Sequence, residues 1–295
     1  MSEAGPSEGE LVVVSTPIGN LGDLSPRAAA TLAGADLLCC EDTRHTGLML
    51  QRLAIRPRRL LSVHAHNERQ RIAQVLRELE AGHRVALVTD AGTPAVSDPG
   101  ERLVLAAIDA GFKVTAVPGP SAAVMALTLA GAGVGRWAFE GFLPRRGTER
   151  AARIREIAGS ARPVVLYESP QRLVATLVEL SSACGGERRV AVCRELTKLH
   201  EEVVRLPLAE AARHFTNTAP LGEITLVVHP RPAGETEAGR LSDGDLRAEV
   251  DSLVRKGSSR RDAVSIVADR HLLARRAVYD VAVGPGSPGA PPGPR

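Results

Sequence analysis

Short apolar runs alternate with helical segments from Glu10 onward, and this alternation constrains the fold more than any other feature of the sequence. A buried parallel strand reads as a continuous apolar run, because both of its faces are covered. Ser25 and Pro26 predict the start of the first helix, since serine caps helices and proline favours the first helical position. We therefore expect an N-terminal α/β domain over 10–119, with a mostly parallel sheet flanked by helices. Its predicted strands are residues 11–15, 37–40, 60–63, 84–89 and 113–117.

A second round of strands and helices begins at Ser121, the predicted N-cap of a helix with the sequence AAVMALTLA. The strands around 190–206 follow each other closely, which favours some antiparallel pairing there. We expect a second α/β domain over 120–229. Its predicted strands are residues 137–142, 163–167, 189–193, 203–206 and 223–228.

The rest of the 295-residue chain is predicted to be simpler. Residues 1–9 and the Pro- and Gly-rich tail 284–295 are expected to be disordered. Residues 230–240 have the composition of a linker. Apolar positions at helical spacing over 241–283 predict a small helical domain that resembles a helix-turn-helix.

Composition excludes several classes of protein. The sequence contains no run of about 18 apolar residues, so no membrane span is predicted. The acidic, polar N-terminus lacks the pattern of a signal peptide. We therefore expect a cytoplasmic protein without a membrane partner. The four cysteines form no C-x-x-C pair, and no metal site is predicted. The net charge of +3 permits RNA binding without requiring it.

Three loops follow predicted strands of the N-terminal domain, over 15–23, 89–100 and 118–121. The carboxyl ends of parallel strands meet at one edge of a sheet, where ligands bind. The loop over 89–100 is long for such a connection and is typical of binding loops. Together the three loops predict a ligand site. By contrast, the G-x-G-x-G at 131–135 follows a helix and is interpreted as a helix C-cap and loop rather than a dinucleotide motif.

Nine ordered motifs make the likeness to a known family specific. They are TPIGNLGDLSPRA (16–28), CEDTRHTGLML (40–50), HAHNERQR (64–71), VTDAGTPAVSDPG (88–100), VPGPSAA (117–123), FEGFLPRR (139–146), YESPQRL (167–173), RELTK (194–198) and GEITLVV (222–228). In these motifs and in their order, the chain resembles the ribosomal RNA small subunit methyltransferase I family of the tetrapyrrole-methylase superfamily. The likeness is dense over 16–228 and weaker over 241–281. The loop from Thr93 is a slight variant, and the Pro-rich tail is an addition.

The resemblance implies two α/β domains with a cleft between them that binds S-adenosylmethionine (SAM), plus the C-terminal helical domain. It implies methylation of a cytidine ribose 2′-hydroxyl in the decoding region of 16S rRNA, with the small ribosomal subunit as partner, and a homodimer. It also implies a set of cofactor-binding residues, which comprises Pro17, Ile18, Asp90, Gly92, Thr93, Ser121, Ala122, Leu166 and Leu221.

The candidate catalytic residues have competing interpretations. Asp42 could accept the ribose proton while Arg44 clamps a phosphate, or the two could form an internal ion pair. His66 would share a strand face with His64 and is either a base or a structural histidine. Glu195 and Lys198 are either cleft residues or a pair that bridges the domains.

Six arginines are candidates for contacts with RNA phosphates, and a solvated basic face is the alternative interpretation. They are Arg145, Arg146, Arg260, Arg261, Arg275 and Arg276.

Two other functions remain open at the level of sequence. A tetrapyrrole or corrin-precursor methyltransferase has the same fold, but the G-x-G-P-G-D pattern typical of its first loop is absent. A non-catalytic nucleic-acid-binding protein would use the helix-turn-helix-like segment, but it would not need three ligand loops.

Overall fold

The computed structural model describes residues 9–133, 135–218, 220–231, 243–270 and 275–283. The disorder predicted at both termini and most of the predicted linker lie outside these residues. The strands of the described chain are β1 (Glu10–Val14), β2 (Leu37–Cys40), β3 (Leu60–Ser62), β4 (Arg84–Leu87), β5 (Lys113–Val117), β6 (Ala138–Phe142), β7 (Val164–Glu168), β8 (Arg189–Arg194), β9 (Glu202–Pro207) and β10 (Ile224–Val228).

The helices of the described chain follow the same alternation. They are α1 (Pro26–Gly34), α2 (Thr43–Arg52), α3 (Glu68–Glu80), α4 (Glu101–Asp109), α5 (Ala122–Ala130), α6 (Thr148–Gly159), α7 (Pro170–Cys184), α8 (Leu208–Asn217), α9 (Asp243–Arg255), α10 (Arg260–Arg270) and α11 (Arg275–Val283). None of these helices combines the length and the apolar character that a membrane crossing would need.

The first five strands form one parallel sheet in the order β3-β2-β4-β1-β5. Apolar clusters cover both of its faces, which explains the continuous apolar runs of its strands. As predicted, Ser25 caps α1 through a hydrogen bond from the Ala28 N–H to its hydroxyl. Asn67 precedes α3, but its side chain accepts from the His64 N–H instead of capping the helix.

The last five strands form a second sheet in the order β6-β7-β10-β8-β9. Only β6 and β7 pair in parallel, whereas the other three pairings are antiparallel. Antiparallel pairing therefore extends further than the close strand spacing near 190–206 predicted. The α/β fold class with a C-terminal helical region is confirmed.

Helix α5 joins the two sheets in sequence and packs on the second one. Its apolar side chains contact Val165, Ala191 and Val227 of that sheet. The helix ends at Gly131 with a left-handed backbone, so the G-x-G-x-G segment is a helix C-cap, as predicted.

The three C-terminal helices have a small core of their own. Helices α9, α10 and α11 pack on one another around buried side chains that include Val250, Val267 and Val278. Ser259 caps α10, because its hydroxyl accepts from the Asp262 N–H.

Candidate functional site

The three ligand loops of the first sheet are tied to each other by backbone and hydroxyl hydrogen bonds. Thr16 and Gly92 exchange backbone hydrogen bonds at N···O distances of 2.8 and 3.2 Å. The Thr93 hydroxyl lies 3.1 Å from the Ser15 hydroxyl and 3.4 Å from the Pro120 carbonyl oxygen. The loops after β1, β4 and β5 thus form one rigid edge, as the sequence predicted.

A cavity of about 390 Å³ lies between this edge and the second sheet. Its volume falls in the range of small-molecule and cofactor sites. The first sheet and the start of α5 contribute residues that include Ile18, Asp90 and Ser121. The second sheet contributes residues that include Tyr167 and Glu223. The cavity is therefore a cleft between the two halves of the chain.

Six of the nine residues that the resemblance implied for the cofactor lie on the cavity wall: Ile18, Asp90, Gly92, Thr93, Ser121 and Ala122. The other three do not lie on the wall. Leu166 is fully buried in the core of the second sheet, because side chains alternate along β7 and the next residue, Tyr167, faces the cavity. Pro17 is buried beside Ile18, and Leu221 is 73% exposed next to the lining residue Gly222.

The N-terminus of α5 presents polar groups to the cavity. Ser121 occupies the N-cap position, but its hydroxyl makes no capping hydrogen bond and lines the cavity instead. The Ala123 N–H lies against the Tyr167 hydroxyl of the second sheet. A helix N-terminus in this position suits a carboxylate.

Several carboxylates surround the cavity. Asp90 and Glu223 lie on its wall, and Glu41 accepts from the Thr89 hydroxyl nearby. Asp98, also on the wall, is half-buried, and burial together with the charge of Glu41 raises its pKa to about 6. The charges of Asp90 and Glu223 add to this rise, whereas the Thr89 hydroxyl opposes it. The cavity is therefore strongly acidic and suits a cationic ligand.

Asp98 was not among the predicted catalytic residues. It belongs to the predicted binding loop over 89–100, but its raised pKa depends on burial and on the nearby carboxylates of Glu41, Asp90 and Glu223, which no local pattern places together. Three aromatic residues were missed as well. The Tyr167 ring lies edge-on to Phe139 and 5.5 Å from the ring of Phe142, which lines the cavity and is 54% exposed.

Asp42 and Arg44 form the internal ion pair that was one of the two interpretations. Asp42 is the N-cap of α2 and accepts from both the Arg44 N–H and its guanidinium, with an N···O distance of 2.9 Å in the ion pair. These hydrogen bonds lower the pKa of Asp42 to about 2. The Asp42 N–H in turn donates to Asp90, so the pair lies next to the cavity without lining it.

The predicted strand face shared by His64 and His66 does not exist. Strand β3 ends at Ser62, and both histidines lie in the turn before α3. Their rings contact each other at 6.0 Å, but neither lines the cavity. His66 is exposed, which favours a structural or surface role.

Glu195 and Lys198 lie next to the cavity-lining residues Leu196 and Glu223, and Lys198 contacts both halves of the chain. The Lys198 ammonium lies 2.7 Å from Glu195 and 3.1 Å from Glu223. Its side chain packs so closely on Gly19 of the first loop that a Cβ there would meet it at 2.4 Å. Burial acts to raise the pKa of Glu195, but hydrogen bonds from Lys198 and the Glu223 N–H outweigh burial, so the pKa is lowered. This geometry matches a pair that bridges the domains.

The candidate RNA-binding arginines separate into two groups. Arg145 and Arg146 are exposed in the loop that follows Phe142. Arg261 is exposed at the start of α10, whereas its neighbour Arg260 donates to Asp251 and to the Ala282 carbonyl within the helical domain. Arg260 is therefore a structural residue. Arg275 opens α11 and is exposed, and the Arg276 side chain lies outside the described part of the structure.

Within the described parts of the chain, no group of three or more His, Cys, Asp or Glu side chains is arranged to hold a metal ion.

Comparison with solved structures identifies the fold. The structure aligns with cobalt precorrin-4 methyltransferase at a TM-score of 0.58 and 16% identity, covering 78% of this chain and 98% of that one. It aligns with uroporphyrin-III C-methyl transferase from Thermus thermophilus, complexed with S-adenosyl homocysteine, at a TM-score of 0.54 and 21% identity. That alignment covers 74% of this chain and 96% of the other. At these identities the likeness defines the fold.

Sequence comparison defines the family. Residues 10–212 match the Tetrapyrrole (Corrin/Porphyrin) Methylases. Ribosomal RNA small subunit methyltransferase I of Synechocystis sp. is 43% identical over 93% of this chain and 98% of the relative. The Mycobacterium tuberculosis protein of the same name is 45% identical over 93% and 94% of the two chains, and the Escherichia coli O157:H7 protein 37% over 94% and 96%. The chain thus belongs to the tetrapyrrole methylases and, within them, to the ribosomal RNA small subunit methyltransferase I family.

Proposed function

We propose that this protein transfers a methyl group from SAM to the ribose 2′-hydroxyl of a cytidine in the decoding region of 16S rRNA. The observation that carries the proposal is the acidic cavity between the two sheets, bounded on one side by the three tied loops and by the start of α5. The relatives named ribosomal RNA small subunit methyltransferase I support the class of substrate.

The residues of the cavity fit SAM in charge and in shape. SAM carries a sulfonium and an ammonium group, and the Asp90 carboxylate on the cavity wall complements these positive charges. The N-terminus of α5, where Ser121 and Ala122 line the cavity, suits its carboxylate. Gly92, with a φ of +85°, allows the ligand to approach the backbone closely. When bound, SAM supplies an activated methyl group, and this sulfonium chemistry itself needs no metal.

The surroundings of the cavity suit an RNA substrate. Arg145 and Arg146 follow Phe142 on the cavity wall by three and four residues, where they could contact phosphates next to the reacting nucleotide. A small ribosomal subunit as substrate places the enzyme in the cytoplasm. The family resemblance supports a homodimer, which analytical ultracentrifugation of the full chain tests directly.

The deciding experiment is methyl transfer from labelled SAM to small ribosomal subunits, followed by mapping of the modified nucleotide. We expect label in 16S rRNA and recovery of 2′-O-methylcytidine after nuclease digestion. Label on a base, or on a nucleotide other than cytidine, would contradict the ribose assignment while leaving the methyltransferase intact.

Two controls separate the alternative functions. Transfer to a corrin precursor but not to ribosomal subunits would indicate the tetrapyrrole branch of the fold. Absence of SAM binding by calorimetry, together with binding of RNA, would indicate a non-catalytic nucleic-acid-binding protein.

A further inference from the structure

We propose that Asp98 is the general base of the reaction and accepts the proton of the ribose 2′-hydroxyl. The proposal rests on the proposed function and adds to it the group that activates the nucleophile. A ribose hydroxyl is a weak nucleophile at neutral pH, so a positioned base typically contributes ~10²–10⁴-fold to its reaction. Asp98 lines the cavity, so it can touch the reacting atoms.

The loop that carries Asp98 is held in one conformation from several sides. Ala95 and Ser97 have left-handed backbones, with φ values of 66° and 65°, and the Ala95 N–H donates to the Pro99 carbonyl. Beyond the loop, the buried Glu68 carboxylate accepts from the Gly100 N–H at the start of α4. A left-handed backbone costs a non-glycine residue conformational energy, so such conformations persist only where the surrounding structure fixes them.

The second sheet fixes the same loop from the other side. Gly141 of β6 has a φ of +59°, and a Cβ at this position would lie 2.7 Å from the Ser97 hydroxyl oxygen. The strand also has a register shift between Phe139 and Gly141. This close contact brings Asp98, next to Ser97, and Phe142, next to Gly141, to the same part of the cavity wall.

Phe142 gives this part of the cavity a surface for a nucleobase. Its ring is half-exposed and packs against Tyr167, and the charge of Asp98 contributes to the raised pKa of that tyrosine. Aromatic rings in nucleic-acid sites commonly stack on unpaired bases. A cytidine stacked on Phe142 would present its ribose to the cavity that Asp98 also lines.

The charges around Asp98 suit a base at neutral pH. Glu41, Asp90 and Glu223 face it from β2, the fourth-strand loop and the start of β10, and Tyr167 faces it from β7. A carboxylate whose pKa is raised toward 6 is largely ionised at pH 7.5 and accepts a proton more readily than an ordinary carboxylate. The other wall carboxylates have partners of their own, since Asp90 accepts from the Asp42 N–H, Glu223 pairs with Lys198 and Glu168 pairs with Arg172.

The proposed step is an in-line transfer of the methyl group to the ribose oxygen. The 2′-oxygen forms the new bond to the methyl carbon, the carbon–sulfur bond breaks with its electron pair staying on sulfur, and the hydroxyl proton passes to the Asp98 carboxylate. The protonated carboxyl then returns its proton to water when product leaves.

The test compares Asp98→Asn, Asp98→Glu and the control Asp109→Asn, which makes the same chemical change at an exposed position of α4. We expect Asp98→Asn to lower kcat by at least about 100-fold while the SAM dissociation constant from calorimetry changes by less than about threefold. Asp98→Glu should recover part of kcat, because it keeps the carboxylate. Asp109→Asn should match the wild type.

Two readouts distinguish a base from a structural residue. In the wild type, kcat/KM should rise with pH through a pKa near 6 and then level off, because the ionised carboxylate is the active form. Asp98→Asn should lose this limb. Independently of activity, NMR of protein labelled with carboxyl-¹³C aspartate should show one carboxyl that titrates near pH 6 and that is absent in Asp98→Asn.

Each contrary outcome has a distinct meaning. Asp98→Asn with more than a tenth of wild-type kcat and an unchanged pH limb would overturn the proposal but leave the proposed function intact. Loss of SAM affinity in proportion to activity would make Asp98 a cofactor-binding residue and also overturn it. A wild type that methylates a base instead of the ribose would overturn both the 2′-O assignment and the role of Asp98.

Discussion

The sheet of the N-terminal half is parallel throughout, whereas the sheet of the C-terminal half pairs only its first two strands in parallel. In the parallel sheet every strand ends at the same edge, so three loops meet there and can be tied to one another. In the mixed sheet neighbouring strands run in opposite directions, so its part of the cavity wall is built from both strand ends and strand starts, such as Tyr167 near the end of β7 and Ile224 at the start of β10.

Because of this difference, the two halves of the chain present different chemical groups to the cavity. The first half presents backbone groups, a glycine and charged carboxylates, which suit a small cationic cofactor. The second half presents rings and the exposed arginines that follow β6, which suit a nucleotide. Substitutions at Gly92 in the first half should therefore affect SAM affinity, whereas substitutions at Phe142 in the second half should affect the use of ribosomal subunits. Asp98 and Asp42 are exceptions within the first half, because they are expected to act on kcat and on KM for subunits.

Gly92→Val should damage cofactor binding most strongly. Gly92 has a φ of +85°, and its Cβ would lie 3.4 Å from the Ile18 side chain on the cavity wall. A left-handed backbone costs a residue with a side chain about 1–2 kcal/mol, and a β-branched side chain would also project toward the ligand. We expect SAM affinity measured by calorimetry to fall at least tenfold.

Gly34→Val is the matched control for this change. Gly34 ends α1, a Cβ added there would meet no neighbour within 4 Å, and the residue lies outside the cavity lining. The variant should bind SAM as the wild type does. A Gly92→Val protein that folds and binds SAM normally would show that the cofactor lies elsewhere.

Phe142→Ala should affect the RNA substrate and spare the cofactor. Stacking of a base on an aromatic ring contributes ~1–3 kcal/mol, so we expect KM for small subunits to rise about tenfold, within the range that this energy allows. SAM affinity should stay within about twofold. Leu105→Ala, which removes a comparably exposed apolar side chain from α4, should change neither quantity. A loss of SAM affinity equal to the rise in KM would break the proposed division.

The sequence predicted the fold well because most of its strands are buried and its helix caps and turns are marked by local residue patterns. All ten strands were found within a few residues, since continuous apolar runs mark covered strands. Helix α2 was not predicted, because its sequence TRHTGLMLQR combines polar residues with a glycine. The extent of antiparallel pairing was also missed, because β10 lies between β7 and β8 only in space.

The site was predicted only where backbone geometry defines it. Gly92, Ser121 and Ala122 lie at strand and helix ends whose position the alternation of elements already indicates. The Leu166 side chain faces the core whereas that of Tyr167 faces the cavity, because in a strand one residue moves a side chain to the opposite face. Asp98 gains its raised pKa from burial and from carboxylates that tertiary packing brings together, whereas Asp42 owes its lowered pKa to local hydrogen bonds with Arg44, two residues further along the chain.

Asp42→Asn should separate the two aspartates that lie near the cavity. The pKa of Asp42 is lowered to about 2, chiefly by its hydrogen bonds with Arg44, so this carboxylate stays ionised throughout the working pH range. We expect KM for subunits to rise about threefold, because Arg44 loses its anchor, while the pH limb near 6 persists. Loss of that limb in Asp42→Asn would assign the base to Asp42 instead of Asp98.

The smallest effect of a single substitution on subunit binding is expected in the helical domain, where the adjacent Arg260 and Arg261 form a matched pair. Arg260 is held by Asp251 and the Ala282 carbonyl, whereas Arg261 is exposed, and none of the described side chains forms a hydrogen bond or ion pair with it. Arg261→Ala should weaken subunit binding about two- to fourfold and reduce the slope of log affinity against log salt by about one, with unchanged thermal stability. Arg260→Ala should instead lower the stability of the helical domain.

Truncation after Gly239 removes both arginines together with Arg275 and Arg276, so it should weaken subunit binding further and leave SAM affinity unchanged. A truncated protein that methylates subunits with unchanged kcat and KM would show that these helices do not contact the substrate, and one that no longer binds SAM would show that they support the two-sheet fold.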